Sequence, residues 1–230
     1  HIISRILLKR WLSLLLVELR DSWSSLYWLM NITHNNFHLL LLGHRMSKLE
    51  NYVKITSPIP KKLCKKIITV LKNSNWKEHT FNYHDGSVNK KRDTQPCKSL
   101  HDNSKHSQEL MALLHNEIGN YIDTINSPYF TGWNGYTTLK YNKYYKGTLM
   151  EKHWDNIHTM FDGTIKGIPS LSIIGLLNND FKGGEIEMFE NTKIKLKAGE
   201  ILIFPSNFLY PHMVCPVTKG TRHSFVSWVY

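Results

Sequence analysis

The sequence predicts a mainly β protein with flanking helices. Residues 135–230 divide into short apolar or alternating segments, separated at intervals of roughly 8–12 residues by turn signals such as Gly183-Gly184. Two helical patterns, each with one apolar face, precede this block. Helices that precede a block of strands pack on the outside of a sheet, so we expect a β sandwich or barrel with external helices.

Residues 1–45 differ in composition from the rest of the chain. Leucine is dense there, and the longest apolar run, residues 12–17, is broken by Glu18. A membrane span needs ~20 apolar residues. An ordinary soluble composition begins at Met46. We therefore predict one domain over residues 46–230 and an N-terminal extension over residues 1–45. That extension is either foreign to the natural protein or a disordered or helical segment, and a membrane-surface anchor is the rival interpretation.

The two helical patterns provide the predicted helical support, residues 58–125. Pro60 suits the first turn of a helix over residues 60–73, whose lysines lie opposite an apolar face. A second helix is expected over residues 106–125, ending before Pro128. The polar residues 82–106 between the two helices predict a loop.

The β core is predicted over residues 135–230. The run 171–177 is apolar throughout, as in a strand buried on both faces. Other segments combine β-prone residues with alternation or apolar runs. The predicted strands cover residues 136–144, 171–177, 185–189, 194–196, 201–204 and 224–230.

Composition limits the range of functions. The 29 Lys and Arg against 18 Asp and Glu give a formal charge of +11, which suits a nucleic-acid partner or a basic soluble surface. No recognised nucleic-acid module occurs, so we predict the basic surface, with neither a nucleic-acid nor a membrane partner. The three cysteines match no zinc or disulfide pattern, which favours a reducing, cytoplasmic setting.

Three residues form a candidate metal site. Two histidines and one carboxylate are the ligand set that holds Fe(II) on one face and leaves the opposite positions open. On a strand, His153 and Asp155 point to the same face, because side chains alternate. His212 follows a later apolar strand. The chain has 13 histidines, and a lone histidine in that position is commonly a core residue.

Arg222 strengthens this interpretation. If residues 221–230 form a strand, Arg222 and Ser224 point into the barrel together, next to the strand that carries His212. A buried guanidinium needs an anionic partner. That partner is either an internal carboxylate, Glu185 or Glu187, or the distal carboxylate of 2-oxoglutarate bound bidentately.

Seven sequence elements occur here in the order found in one known family. They are Tyr144-Tyr145-Lys146-Gly147, His153-Trp154-Asp155, Gly183-Gly184-Glu185, Gly199-Glu200, Phe204-Pro205, Pro211-His212 and the segment from Pro216 to Ser224. With these elements, residues 136–230 resemble the Fe(II)/2-oxoglutarate dioxygenases of the prolyl 4-hydroxylase-like group, particularly its bacterial and phage-type members.

The resemblance implies a double-stranded β-helix, or jelly roll. It implies His153, Asp155 and His212 as metal ligands, and Arg222 with Ser224 as the site of the distal carboxylate of 2-oxoglutarate. Tyr144 matches a family tyrosine near the cofactors. The implied cofactors are Fe(II) and 2-oxoglutarate, with O₂ as co-substrate and ascorbate as reductant.

The implied reaction is hydroxylation of a C–H bond, with a prolyl residue of a peptide or protein as the favoured substrate. A small molecule or free amino acid is an alternative. The candidates for the substrate rim are Trp133, Tyr145, Trp154 and His158, and a packing role is an equal alternative for each of them. An AlkB-type nucleic-acid demethylase is less favoured, because that group has a second arginine where this chain has Trp228. A non-catalytic jelly-roll binding module is the remaining alternative.

Overall fold

The structure, a computed structural model, describes residues 49–82, 88–89, 97–128, 130, 132–156 and 168–230. These residues belong to one compact unit, Leu49–Tyr230. The predicted extension, residues 1–45, lies outside the described residues. Among the helices that the structure describes, none is long and apolar enough to cross a membrane.

The described residues contain two long helices and fifteen short strands. Helix α1 spans Lys61–Leu71 and helix α2 spans Lys105–Ile125, close to both predictions. The strands are β1 Lys54–Thr56, β2 Lys77–Glu78, β3 Phe81–Asn82, β4 Val88–Asn89, β5 Lys98–His101, β6 Lys140–Tyr144, β7 Met150–His153, β8 Leu171–Leu176, β9 Phe181–Gly183, β10 Ile186–Met188, β11 Thr192–Ile194, β12 Ile201–Pro205, β13 His212–Val214, β14 Val217–Gly220 and β15 Arg222–Val229.

The strands form two main antiparallel sheets. The large sheet has seven strands in the order β1-β12-β8-β15-β6-β5-β2, and the small sheet has four in the order β11-β10-β13-β7. The pairs β14-β9 and β3-β4 stand apart from both. The predicted mainly β fold with flanking helices is therefore confirmed.

Both helices pack on the outer face of the large sheet. The apolar faces of α1 and α2 share one buried core with alternate residues of the central strands, including Ile173, Ile203 and Phe225. A Cβ at Gly175 would lie 2.0 Å from the Phe225 ring, so only glycine allows this packing. Because strand residues alternate, Arg222 and Ser224 face the opposite, inner side of the sheet.

The prediction of a loop over residues 82–106 was wrong in two parts. Strand β4 lies within it and pairs with β3. Strand β5 also lies within it and pairs with β6 and β2 near one edge of the large sheet. An edge position leaves Lys98 and His101 exposed, so this strand has too few apolar residues for a strand pattern. The sequence also gave no prediction for β9 and β14, which are only three or four residues long.

Candidate active site

Three side chains of the small sheet and its adjoining loop converge on one point. The Nε2 atom of His153 lies 3.6 Å from Asp155 Oδ1, and Nε2 of His212 lies 3.7 Å from Asp155 Oδ2. One donor atom from each residue falls within 4.8 Å of the others. This spacing allows all three to face one metal ion, and it is the grouping that the sequence predicted.

Backbone pairing brings these residues together. His212 in β13 stands directly opposite His153 in β7, and their rings are 4.5 Å apart between centroids. Asp155 lies just beyond the end of β7. Its backbone N–H donates to the carbonyl of Ser206 at 3.3 Å, which ties the Asp155 loop to the chain that follows β12. The site therefore depends on a strand pair and a tethered loop.

Both imidazoles are oriented by backbone carbonyls. His153 Nδ1 lies 2.7 Å from the carbonyl oxygen of Glu151, and His212 Nδ1 lies 3.2 Å from that of Tyr210. When Nδ1 carries the proton and donates to a carbonyl, the Nε2 lone pair is left for a metal. The two Nε2 atoms are those that face Asp155.

Asp155 is held in its ionised form. Burial alone would raise the pKa of its carboxyl, but His212 and His153 outweigh that effect and the pKa is lowered. The indole of Trp228 and the Ser172 hydroxyl act in the same direction. Ser172 donates to Asp155 Oδ2 at 2.7 Å and lies 2.8 Å from the Ser206 hydroxyl. A charged, oriented carboxylate is the form that binds a metal.

Arg222 lies on the inner face of the large sheet and is only 2% exposed. One guanidinium N–H donates to Ser224 Oγ at 2.7 Å, and the guanidinium lies 5.0 Å from the centre of the Tyr144 ring. Its Nε atom is buried with no hydrogen-bond partner, and within the described part of the chain Arg222 has no ion pair with Glu185, Glu187 or any other carboxylate.

The predicted placement of Arg222 beside the His212 strand was wrong. Strand β15 lies between β8 and β6 in the large sheet, whereas β13 lies between β10 and β7 in the small sheet. The two residues thus belong to separate sheets. Spacing along the sequence cannot show this, because a jelly roll pairs strands that are distant in sequence.

The turn at Gly183-Gly184 fits closely around Arg222. Both glycines have positive φ, and a Cβ on Gly184 would come within 2.8 Å of Arg222 Cδ. A cavity of about 490 Å³ lies beside this turn, with Lys182, Glu185 and Arg222 in its wall. None of the three metal-donor residues lines that cavity.

The residues present fit both implied cofactors. Two imidazoles and a carboxylate are a donor set for Fe(II) with open positions. Arg222 is a buried cation that lacks a carboxylate partner among the described residues, and a dicarboxylate such as 2-oxoglutarate would supply one. Tyr144 Oη also lies 3.8 Å from Met150 Sδ, beside the guanidinium.

The predicted rim residues have different surroundings. Trp154 is 49% exposed and Tyr145 is 39% exposed, so both can contact a large partner. Trp133 was wrongly placed on the rim, since it packs against His115 of α2 and against Tyr136. His158 lies outside the described residues.

Sequence patterns missed several polar residues near the site. Ser172 and Ser206 were hidden in or next to apolar strands, although a serine inside such a strand is a detectable signal. Lys140 and Asn142 lie on the inner face of β6, with Asn142 opposite Ser224. Their alternation with Tyr141 and Lys143 could have indicated an inward polar face.

Comparison with known proteins shows what the chain is similar to. Residues 139–230, which are less than half of the chain, match the family model described as the 2OG-Fe(II) oxygenase superfamily. The region is also similar to a PKHD-type hydroxylase of Shewanella oneidensis, with 33% identity over 93 residues, covering 39% of this chain and 41% of that protein. A PKHD-type hydroxylase of Synechococcus is 39% identical over 84 residues, covering 34% and 35%.

The chain therefore spans about two fifths of the length of the curated relatives it matches. Among solved structures, it resembles a viral collagen prolyl hydroxylase of Paramecium Bursaria Chlorella virus-1, with TM-score 0.56 and 16% identity over 77% of this chain and 94% of that one. A Trichoplax adhaerens prolyl hydroxylase, solved with a hypoxia inducible factor peptide, has TM-score 0.59 and 15% identity, covering 84% and 92%. These structures confirm the jelly-roll fold.

Proposed function

We propose that this chain is an Fe(II)- and 2-oxoglutarate-dependent dioxygenase that hydroxylates a prolyl residue of a peptide or protein. One observation carries the proposal. Three donor groups converge within 4.8 Å in a barrel whose inner face also carries a buried arginine without a carboxylate partner among the described residues. A structural jelly roll has no need for either feature.

His153, Asp155 and His212 are the proposed iron ligands. When bound, iron and 2-oxoglutarate supply an oxidant from O₂, with succinate and CO₂ as products and ascorbate as the proposed reductant. The protein contributes position. The carbonyls of Glu151 and Tyr210 fix the imidazole tautomers, and the Ser172 hydroxyl fixes one oxygen of Asp155. Such outer contacts set ligand direction and basicity.

Arg222 is the proposed partner of the distal carboxylate of 2-oxoglutarate. Its two terminal nitrogens form a planar fork that matches a carboxylate. Ser224 and Tyr144 hold that fork from two sides, through a 2.7 Å hydrogen bond and a ring contact at 5.0 Å. At 2% exposure the guanidinium is shielded from water, which strengthens its attraction for an anion.

Exposed apolar residues beside the site favour a peptide substrate over a small molecule. Trp154 adjoins two proposed ligands, and Phe208 and Leu209, 72% and 44% exposed, precede His212 by a few residues. The loops are linked, since the backbone N–H of Asn156 donates to Ser206 and its side-chain amide donates to Pro169. Ile168, 46% exposed, adjoins Pro169 in the chain. Apolar surface around a cleft is typical of macromolecular recognition.

The test is succinate formation from 2-oxoglutarate under air with Fe(II) and ascorbate. We expect turnover by the intact protein, strongly reduced in His153→Ala and in Arg222→Ala. His106→Ala, on α2 and remote from the site, is the matched control and should keep full turnover. Absence of turnover in the intact protein, together with no iron bound at sub-millimolar concentration, would replace the proposal with a binding or structural role.

A further inference from the structure

The inner face of β6 carries three polar side chains in a row. Lys140, Asn142 and Tyr144 alternate with Tyr141 and Lys143, so they share the face that looks into the barrel. Pairing with β15 sets Tyr144 opposite Arg222, Asn142 opposite Ser224 and Lys140 opposite Val226. The proposed reaction gives a role to Tyr144 at one end of this row, but none to Lys140 at the other.

Lys140 is a cation near the metal donors, and no described residue forms an ion pair with it. The pKa of its ammonium is lowered, because burial outweighs the opposite effects of Cys97 and the Asp155 carboxylate. Burial lowers the pKa of His79 to about 2, and Lys140 contributes more to this shift than His153 does. Its electrostatic neighbours thus include Asp155 and His79, yet over the described residues no carboxylate lies within ion-pair distance of it.

Asn142 gives a second, independent sign of a missing ligand. It is 1% exposed, and among the described residues its buried Oδ1 atom has no hydrogen-bond donor. A buried polar atom that stays unsatisfied is costly, so such atoms commonly mark where a ligand or water binds. Asn142 therefore marks a place for a ligand beside Lys140.

Position separates Lys140 from the proposed site of 2-oxoglutarate. Tyr144 and Lys140 are four residue steps apart on the strand, which corresponds to about 13 Å. The terminal carbons of 2-oxoglutarate are at most about 6 Å apart, with C–C bonds of about 1.5 Å. Arg222 is closed off from solvent, whereas Lys140 is only half-buried. A ligand at Lys140 can thus approach from solvent while 2-oxoglutarate occupies the interior.

We propose that Lys140, with Asn142 beside it, forms a second carboxylate subsite that receives an acidic side chain of the peptide substrate near the hydroxylated residue. The proposal rests on the proposed function and narrows its substrate class. A half-buried ammonium binds a carboxylate more strongly than an exposed one, because less water competes. The formal charge of +11 suits an acidic peptide as well, but only Lys140 would fix the position of the acid.

The experiment uses the full chain loaded with Mn(II) and an inert 2-oxoglutarate analogue, N-oxalylglycine. A heptapeptide library with a fixed central proline and randomised flanks is passed over the immobilised protein, and the bound peptides are sequenced. We expect Asp and Glu to exceed Asn and Gln about tenfold at one flanking position, because one bond to a charged group contributes about 1.5 kcal/mol or more.

The key comparison is between Lys140→Met and Lys143→Met. Each removes one positive charge from the same strand, but Lys143 lies on the opposite face, where its ammonium is 5.4 Å from the centre of the Trp76 ring. The acidic preference should disappear in Lys140→Met, remain in Lys143→Met, and partly return in Lys140→Arg. A preference spread equally over all positions, or kept in Lys140→Met, would overturn the subsite.

Two further measurements distinguish a carboxylate of the peptide from a carboxylate of the cofactor as the partner of Lys140. If Lys140→Met weakens binding of N-oxalylglycine and leaves the peptide preference intact, Lys140 serves the cofactor and the proposal is wrong. Intact protein that binds neither Mn(II) nor N-oxalylglycine contradicts the proposed function itself. Intact protein that binds both but shows no acidic preference contradicts the subsite alone.

Discussion

The two main sheets contribute different halves of the candidate site. The small sheet and its adjoining loop carry the three metal donors, whereas the inner face of the large sheet carries Arg222, Ser224 and Tyr144. The sheets meet through a few specific contacts. Ser172 of the large sheet donates to Asp155, and the Phe204 ring stacks edge-on against His212 at 5.0 Å.

The sheets also differ in what supports them. Two helices cover the outer face of the large sheet and share an extensive buried core with it. The small sheet contributes Met150 and Val214 to a much smaller cluster with Cys97, Tyr144 and Val217. Fold stabilisation and metal binding are therefore largely separable, since the helix-covered face of the large sheet stabilises the fold and the small sheet with its adjoining loop carries the metal donors.

Removing a metal donor should have the largest effect on activity. We expect His153→Ala to lower succinate formation by more than about 100-fold, since loss of a mere outer contact to a metal ligand costs ~10–100-fold. Thermal stability of the metal-free protein should change little, because His153 lies outside the main core. Substantial residual turnover by this variant would mean that the small sheet does not hold the metal.

Truncating the core should affect stability instead. Phe225→Ala removes a fully buried ring from the outer face of the large sheet, and we expect a loss of about 3–5 kcal/mol in the free energy of unfolding. Urea denaturation measures this loss. Any variant that remains folded should bind metal with nearly normal affinity. Weaker metal binding in the folded variant would show that the two functions are not separable.

Ser172→Ala tests the contact that joins the halves. The variant removes the hydroxyl that orients Asp155, and loss of such an outer contact typically weakens metal affinity ~10–100-fold. Ser170→Ala is the matched control, because that hydroxyl donates to the Val229 carbonyl and, among the described residues, makes no contact with Asp155. Mn(II) titration of both variants gives the comparison. Equal affinities would show that Asp155 needs no support from the large sheet.

The smallest expected effect is a dependence of stability on pH. Burial, followed by the nearby Lys143, lowers the pKa of His223 to about 4, while Asp180 partly offsets them. Between about pH 6.5 and pH 4 the unfolded chain therefore binds more protons at this residue, and stability falls as the pH falls, by up to ~1.4 kcal/mol per pH unit. His223→Gln should show a shallower decline in acid unfolding experiments. An unchanged slope would exclude His223 as its source.

Local patterns predicted the helices and most long strands, because amphipathic spacing and apolar runs are local properties. The convergence of His153, Asp155 and His212 followed from a family resemblance, not from spacing alone, because β13 and β7 are far apart in sequence. The separation of Arg222 and His212 into two sheets could not be predicted, since it depends on non-local pairing. Strand β5 was missed because it is short and has exposed polar residues, Lys98 and His101, near the edge of the sheet. Lys140 and Asn142 became noticeable only once the inner face was known.

We propose that both sheets contribute to binding one ligand, 2-oxoglutarate. The most direct measurement is anaerobic calorimetry of 2-oxoglutarate binding to the intact protein, with and without Fe(II), and to Asp155→Ala, Arg222→Met and the double variant. We predict that tight binding needs both the metal and Arg222. The losses of binding free energy in the two single variants should not be additive, because the metal and Arg222 contact the same molecule. Binding of equal strength in the absence of Fe(II), or unaffected by Arg222→Met, would contradict the account.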